Sequence, residues 1–226
     1  MGVLGLWSYW LKRKYRHTLK TVPETVSTFS FDLNAVIHEV KAKVIPEPSK
    51  RNATITSEII EQQIINGVKE EIASVAAMYG TQTTLIVAVD GVAPIAKQNQ
   101  QNFRRSKTGI KSPEELVPFD PNCISPGTEF MFNLDLELQN FFRNHGGTLP
   151  PKIIYSSHLV PGEGEHKIMD YLRGGTLGPG PHMIYGMDAD LVLLSLVSPA
   201  RGIILTRNRE AEGLYVDDLR QSLAES

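Results

Sequence analysis

An uninterrupted apolar run, TLIVAVDG at residues 84–91, places the strongest constraint on how this chain can fold. A strand that is apolar at nearly every position is buried on both faces, which is typical of parallel sheets covered by helices on both sides. The run is closed by Asp-Gly, so we expect Asp90 at the carboxyl end of the strand. Ligands of open parallel sheets bind beyond that end. Asp90 is therefore the first indication of a functional site.

A long amphipathic helix is predicted over residues 57–79, upstream of that strand. Its apolar side chains recur at three- and four-residue spacings, which form one stripe along a helix. They are Ile60, Ile64, Ile65, Val68, Ile72, Val75 and Ala76. Thr56 or Ser57 is the expected N-cap, because a hydroxyl there accepts a hydrogen bond from the first turn. We expect the stripe to pack on a sheet.

Strand and helix signals alternate along the rest of the chain. Strands are predicted over residues 28–40, 152–160, 182–187 and 202–208, the first with Asp32 and Asn34 on one face of the extended chain. An exposed helix and a loop are expected within residues 97–126, an amphipathic helix within 127–147 that Gly146 and Gly147 stop, and another through Met169 and Leu172. This alternation predicts an α/β fold with a mainly parallel central sheet and helices on both faces. The 226 residues, 41% hydrophobic and 21% charged, are expected to form a single domain over residues 1–226.

Acidic residues fall in four clusters, each beside or at the end of an apolar run. They are Asp32, Asp90, the pair Glu163 and Glu165, and the pair Asp188 and Asp190. In a parallel sheet these positions share the carboxyl edge, where carboxylates can converge on divalent cations. Two such ions about 4 Å apart activate water and stabilise the leaving oxygen in phosphodiester hydrolysis. A metal-dependent nuclease is therefore the leading hypothesis, and Glu129, which follows a Pro-Gly turn, is a further candidate acid.

Each acid taken alone has a simpler interpretation as a helix N-cap or a turn residue. Asp188, for example, would then cap the helix that contains Leu191 and Leu194. The agreement in position of four separate clusters favours the metal site over four unrelated caps.

Two basic tracts interrupt a chain whose net charge is only -2. Residues 1–23 and residues 91–113 contain no acidic side chain. Their basic residues are Lys12, Arg13, Lys14, Arg16 and Lys20 in the first tract, and Lys97, Arg104, Arg105, Lys107 and Lys111 in the second. Such local positive charge suits a nucleic-acid backbone. Two solvated charged faces are the alternative, and an organellar transit peptide also remains open for the first tract.

The single cysteine, Cys123, excludes an internal disulfide and a cysteine-rich zinc cluster. No apolar run is long enough to span a bilayer, and the basic residues at 12–16 follow the Leu/Trp segment, unlike those of a signal peptide. We expect an intracellular protein with no membrane partner, first of all in the cytoplasm, with nuclear, organellar and virus-associated locations left open.

At the level of motifs, the chain resembles the N-terminal conserved region of the Xrn family of 5′→3′ exoribonucleases over approximately residues 1–196. The segments that carry the resemblance are MGV at the start, FDLNAVIHEV, VAVDGVAPIAKQNQQNFRRS, FDPNCISPGTEFM, VPGEGEHKIMDYLR and YGMDADLVLL. The start MGVLGLW is also similar to flap endonucleases, which share the same PIN-like nuclease fold. The resemblance thus implies a PIN-like fold and a magnesium-dependent 5′→3′ exoribonuclease that acts on single-stranded RNA with a 5′-monophosphate.

The resemblance also implies roles for individual residues. Asp32, Asp90, Glu163, Glu165, Asp188 and Asp190 match the family's catalytic metal-binding acids, which would hold two Mg²⁺ ions, with Mn²⁺ as a possible substitute. Lys97, Gln101, Arg104 and Arg105 match the pocket for the 5′-phosphate, and on a helix those four positions would share a face. Lys97 would in addition stabilise charge on the scissile phosphate. His38 matches the histidine that stacks on the terminal base.

The family's further metal-binding aspartate lies in a second, downstream conserved region that these 226 residues do not include. Two alternatives to the exoribonuclease therefore stay open. One is a catalytically impaired or split domain that acts as an RNA-binding or structural subunit, with another protein chain completing the site. The other is a flap-type structure-specific endonuclease.

Overall fold

The computed structural model describes residues 6–45, 56–95, 98, 119–186, 189–206 and 211–225. Seven strands within those ranges form one sheet. They are β1 (Leu19–Thr21), β2 (Val26–Asp32), β3 (Thr81–Ala88), β4 (Lys152–Ser156), β5 (His182–Tyr185), β6 (Ile203–Thr206) and β7 (Glu212–Tyr215). Their spatial order is β1-β7-β6-β5-β2-β3-β4. Strands β4, β3, β2, β5 and β6 are mutually parallel, whereas β7 is antiparallel to β6 and to β1.

Six α-helices lie within the described ranges. They are α1 (Leu33–Val44), α2 (Ser57–Met78), α3 (Glu129–Arg143), α4 (Gly164–Arg173), α5 (Ala189–Val197) and α6 (Val216–Ala224), and a π-helical segment precedes them at Leu6–Lys14. The predicted N-cap of α2 is confirmed, because the Thr56 side chain accepts a hydrogen bond from the backbone N–H of Ile59. Thr128 caps α3 in the same way through the N–H of Met131.

The sheet is buried on both faces because apolar residues of its central strands alternate between two cores. In β3, Leu85 and Val87 join a core formed with α1, α2 and α3, whereas Ile86 joins a core formed with α4, α5 and α6. Burying each such side chain stabilises the fold by about 1.5–3 kcal/mol relative to leaving it exposed. The apolar stripe predicted for α2 lies in the first core and is buried along its length. The predicted α/β class, with a mainly parallel sheet and helices on both faces, is confirmed.

One strand prediction was wrong in extent. The strand predicted over residues 28–40 ends at Asp32, and α1 begins at Leu33. Leu33, Val36, Ile37 and Val40 are buried at helical spacing, so packing favours a helix there. Asp32 and Asn34 therefore do not share a face of one strand, because Asn34 lies in the first turn of α1.

Other boundaries also differ from the predictions. Strand β4 ends at Ser156 instead of residue 160, strand β5 ends at Tyr185 instead of residue 187, and α3 ends at Arg143, before the glycine pair. The helix predicted within residues 97–126 falls largely outside the described residues, whose first element after that gap is a 3-10 turn at Pro121–Cys123. Among the described helices, none combines the length and the apolar character that crossing a membrane requires.

Candidate metal centre

Strand register brings the predicted acids toward one edge of the sheet. Asp32, the last residue of β2, pairs with Ala88 at the end of β3, and Ala88 pairs with Ser156 at the end of β4. The chain segments that leave these three strands therefore start side by side. Asp90 lies in the segment after β3, and Glu163 lies in the segment after β4. This is the edge at which parallel sheets bind ligands.

Gly164 joins two of these acids to the start of α4. Its backbone N–H donates a hydrogen bond of 2.7 Å to Oδ1 of Asp90. A Cβ atom at residue 164 would lie 2.8 Å from Oδ1 of Asp32, so any other residue there would force the carboxylate or the backbone to move. Glycine thus allows the helix N-terminus, with its unpaired N–H groups and partial positive charge, to approach both carboxylates. Glu163 and Glu165 are carried to the same place, because they are the N-cap and a first-turn residue of α4.

The side-chain amide of Asn34 holds the backbone at Asp90 in place. Its Oδ1 accepts a hydrogen bond of 3.0 Å from the backbone N–H of Asp90. The first turn of α1 is thereby tied to the end of β3. The sequence indicated only that Asn34 lies beside Asp32, and the turn from strand to helix at Leu33 is what directs it toward Asp90.

The start of α4 offers a set of potential metal ligands. One ligand atom each from Glu163, Glu165 and His166 lies within 4.8 Å of the others. Ligands of one magnesium ion lie at most about 4.2 Å apart, twice the bond length, so small side-chain rotations would let these atoms share an ion. Carboxylate oxygens are the donors that Mg²⁺ and Mn²⁺ prefer. The donor set therefore fits a hard divalent cation, and His166 is a candidate ligand that the sequence analysis did not single out.

The last acidic cluster is described only in part. Asp190 is a half-buried residue in the first turn of α5, and α5 packs against α4, which carries Glu165. Asp188 lies outside the described residues. The structure thus brings Asp32, Asp90 and the start of α4 together directly and places Asp190 on the adjoining helix.

Lys167, one turn into α4, is a buried cation behind the acids. Its Nζ donates hydrogen bonds to the carbonyl oxygens of Val89 at 2.7 Å and Ser157 at 3.0 Å. Burial lowers the pKa of Lys167, and the carboxylate of Asp90 opposes that shift. This buried position is not evident from the sequence, because a lysine in the middle of an amphipathic helix usually points to solvent.

The remaining predicted residues lie elsewhere or are not described. His38 is exposed on α1. Glu129 is the exposed first residue of α3, and none of the hydrogen bonds and ion pairs between described residues joins it to the other acids. The phosphate-pocket residues Lys97, Gln101, Arg104 and Arg105 lie outside the described residues, so that pocket stays a prediction.

Comparison with known proteins shows that the chain is similar to a family of nucleases. The family model for the XRN 5′–3′ exonuclease N-terminus matches residues 1–209. The 5′–3′ exoribonuclease 1 of Saccharomyces cerevisiae is 31% identical over 214 residues, which cover 85% of this chain and 14% of that protein. The 5′–3′ exoribonuclease 2 of Schizosaccharomyces pombe is 34% identical over 200 residues, which cover 74% of this chain and 19% of that protein. The chain therefore spans less than a fifth of the length of these two relatives.

The fold of this chain is also similar to that of solved structures. The catalytic core of Rad2 in complex with DNA substrate (complex III) aligns with a TM-score of 0.57 and 15% sequence identity, over 99% of this chain and 58% of that one. A second Rad2 complex aligns with a TM-score of 0.53. The chain thus shares the PIN-like fold of these structures.

Proposed function

The chain belongs to the XRN 5′–3′ exonuclease family, and from that premise we propose that it is a magnesium-dependent 5′→3′ exoribonuclease that degrades single-stranded RNA with a 5′-monophosphate. The relatives are named 5′–3′ exoribonucleases, which supports the reaction class. The metal, the 5′ end and the substrate strand are part of the proposal.

The observation that carries the proposal is the junction of Gly164 with Asp90 and Asp32. Three chain segments that are distant in sequence meet there, at the carboxyl ends of β2 and β3 and at the N-terminus of α4. A glycine at the contact lets two carboxylates approach one helix terminus. Neighbouring carboxylates repel one another, and a bound divalent cation would offset that repulsion, so their assembly by the fold supports a metal-binding role.

The proposed division of roles follows the family resemblance, and the geometry at Asp32, Asp90 and the start of α4 supports it. The ligands would be Asp32, Asp90, Glu163, Glu165, Asp188 and Asp190. When bound, two divalent cations would activate the attacking water and stabilise the leaving oxygen. Asn34 holds the end of β3 in place through the Asp90 N–H, so the chain positions the carboxylate of Asp90 from both sides.

Recognition of the RNA end is assigned to other residues. Lys97, Gln101, Arg104 and Arg105 would bind the 5′-phosphate, because cationic and amide donors together can surround one phosphate group. Lys97 would also stabilise charge on the scissile phosphate. His38, exposed on α1, would stack on the terminal base.

A substrate panel with a matched pair of variants tests the proposal. Single-stranded RNA with a 5′-monophosphate, a 5′-hydroxyl or a 5′-triphosphate is incubated with the protein in Mg²⁺ or in chelator. Asp90→Asn keeps an oxygen that can accept from the Gly164 N–H but loses the carboxylate charge. Asp170→Asn removes an exposed acid from the same helix as a control. We expect magnesium-dependent loss of the monophosphorylated RNA with wild type and Asp170→Asn and no loss with Asp90→Asn. Full activity of Asp90→Asn would refute the site.

A second candidate is a non-catalytic RNA-binding subunit, or one half of a split enzyme completed by another polypeptide. The matched region covers 14% and 19% of the two relatives, so cleavage of RNA by this chain alone has to be measured rather than carried over from them. Tight binding of the monophosphorylated RNA without cleavage, in Mg²⁺ and in Mn²⁺, would support this candidate. Cleavage of branched DNA at a flap junction, with no loss of single-stranded RNA, would instead indicate a structure-specific endonuclease.

A further inference from the structure

Lys167 occupies a buried position between the ends of two strands. Its side chain projects from α4, and only 7% of the residue is exposed. Its Nζ donates to the carbonyl oxygen of Val89, directly before Asp90, and to that of Ser157, directly after β4. One ammonium group thus connects α4 to the carboxyl ends of both β3 and β4.

The loop after β3 and the loop before α4 are hydrogen-bonded to each other beside Lys167. The N–H of Gly91 donates to the carbonyl oxygen of Gly162 at 2.8 Å, and the N–H of Gly162 donates to that of Val92 at 3.1 Å. A Cβ at residue 162 would lie 3.9 Å from Cε of Lys167, so this turn rests against the lysine stem. The backbone on either side of the candidate ligands Asp90 and Glu163 is therefore built around Lys167.

Two of the hydrogen bonds that join α4 to the segment after β3 differ in kind. The bond from the Gly164 N–H uses a carboxylate oxygen of Asp90, an atom of the type that a metal also needs. The bond from Lys167 uses the backbone carbonyl of Val89 and therefore occupies no ligand atom. Lys167 can hold the spacing between Asp90 and the start of α4 whether or not the carboxylates are engaged by a cation.

We propose that Lys167 is a positioning residue, whose ammonium group sets the distance between Asp90 and the acids Glu163 and Glu165 at which they bind divalent cations together. The inference rests on the proposed function, because it assumes that these acids bind metal. Groups that orient metal ligands without touching the ion typically change metal affinity about 10- to 100-fold when they are removed.

The opposite hypothesis makes a prediction of opposite sign. A positive charge near the acids repels an incoming cation, so a lysine that acts only through its charge would weaken metal binding. Removing that charge would then tighten the binding of Mn²⁺. If Lys167 acts by position, its removal weakens binding although the repulsion has gone.

The test measures Mn²⁺ affinity of the folded protein by electron paramagnetic resonance of free Mn²⁺, which is independent of activity. Lys167→Met keeps the apolar stem and removes the charge and the donors, whereas Lys167→Gln keeps a shorter donor without charge. The matched control is Lys69→Met, which removes a lysine that bridges α2 to α3 through Glu137, on the other face of the sheet. Circular dichroism shows which variants are folded at the temperature of the titration.

We expect the Kd for Mn²⁺ to rise about 10-fold or more in Lys167→Met, and less in Lys167→Gln, with Lys69→Met equal to wild type. If Lys167→Met does not fold, the comparison of Lys167→Gln with wild type decides in the same way. Unchanged or tighter binding in the folded variants would overturn the inference.

Asp90→Asn separates the two proposals: if wild type binds Mn²⁺ no better than Asp90→Asn, the metal site itself fails. If only Asp90→Asn loses binding, the role of Lys167 fails alone.

Discussion

The backbone N–H of Gly164 lies 2.7 Å from Oδ1 of Asp90, so the first residue of α4 is bonded to the second residue after β3. A Cβ on the same residue would lie 2.8 Å from Oδ1 of Asp32, so glycine is what allows this close approach. Two acids that are 58 positions apart in the sequence thus contact one helix N-terminus. The contact is favourable because the helix end carries unpaired donors and partial positive charge.

Gly164→Ala should displace α4 from the acids. The added methyl group would lie 2.8 Å from Oδ1 of Asp32 and 3.1 Å from the carbonyl oxygen of Ala88, so the backbone or the carboxylate must move. We expect a loss of about 1–3 kcal/mol in the free energy of unfolding, together with weaker Mn²⁺ binding. Urea denaturation and metal titration measure the two effects.

The control for that variant lies at the other end of the same helix. Gly174 has ordinary right-handed helical dihedral angles, and a Cβ there would meet its nearest atom at 3.4 Å. Gly174→Ala should therefore leave both the stability and the metal affinity close to wild type. Equal behaviour of the two alanine variants would contradict the close approach of Gly164 to the acids.

Asn34→Ala should loosen the end of β3 without removing a ligand. The side-chain oxygen of Asn34 accepts from the Asp90 N–H at 3.0 Å, and its loss leaves that half-buried donor without the amide. We expect a destabilisation of about 1 kcal/mol, measured by urea denaturation, and a lower rate of RNA cleavage. Asn66→Ala, on the exposed face of α2, is the control and should change neither quantity. A cleavage rate equal to wild type in Asn34→Ala would show that the amide does not position Asp90.

Stability should fall in mild acid because of His182. This histidine begins β5 and is 6% exposed, and burial lowers its pKa from the ordinary value of 6.5. The unfolded chain then binds a proton that the folded protein binds less readily. The stability that neutral His182 contributes is therefore fully present above about pH 6.5. It is lost as the pH falls toward the lower pKa of His182 in the folded state.

The histidine contribution is measured by urea denaturation at pH 7.5 and pH 5.5 in chelator. Wild type should lose stability between the two, and His182→Gln should lose less. Burial also lowers the pKa of His158. This second buried histidine accounts for part of the stability that His182→Gln still loses. Replacing exposed His166 with Gln serves as the comparison. If His182→Gln loses as much stability as wild type over this interval, His182 does not titrate as proposed.

Arg220→Ala should destabilise the C-terminal part of the protein strongly. The guanidinium donates to four backbone carbonyls at and after the end of α5 and to the carboxylate of Asp217. The acceptors are the carbonyls of Ser195, Leu196, Ser198 and Ala200 and Oδ1 of Asp217. Without Arg220, several of these part-buried carbonyls lose their donor, and we expect a cost of about 2–4 kcal/mol.

The comparison for Arg220 is an exposed arginine on α4. Arg173 forms an ion pair of 3.6 Å with Asp170, which is 77% exposed. Such surface pairs contribute about 0–1 kcal/mol, so Arg173→Ala should have a small effect. Thermal unfolding measures the melting temperature of both variants, and we expect a much larger decrease for Arg220→Ala than for Arg173→Ala. A similar small shift in melting temperature for both would show that the Arg220 network adds little.

The sequence was most informative where the signal is local. The apolar stripe of α2 and the apolar run of β3 follow directly from residue spacing, and the structure confirms both. The acids after β3 and β4 could be placed at one edge because parallel strands end at the same side of a sheet. The end of β2 was misjudged, since the apolar residues of α1 alternate ambiguously between a strand and a helix over so short a stretch.

The sequence by itself determined the class of fold, the number of acidic clusters and their places after strands, because each depends on spacing within a few residues. The tertiary structure alone decided the strand order, the short antiparallel β1 and β7, and the contacts of Asn34, Gly164 and Lys167. Those contacts join residues that are 56 to 78 positions apart in the sequence. Such contacts form only when strand register and helix packing bring distant residues within hydrogen-bonding distance. A local pattern of residue types does not encode them.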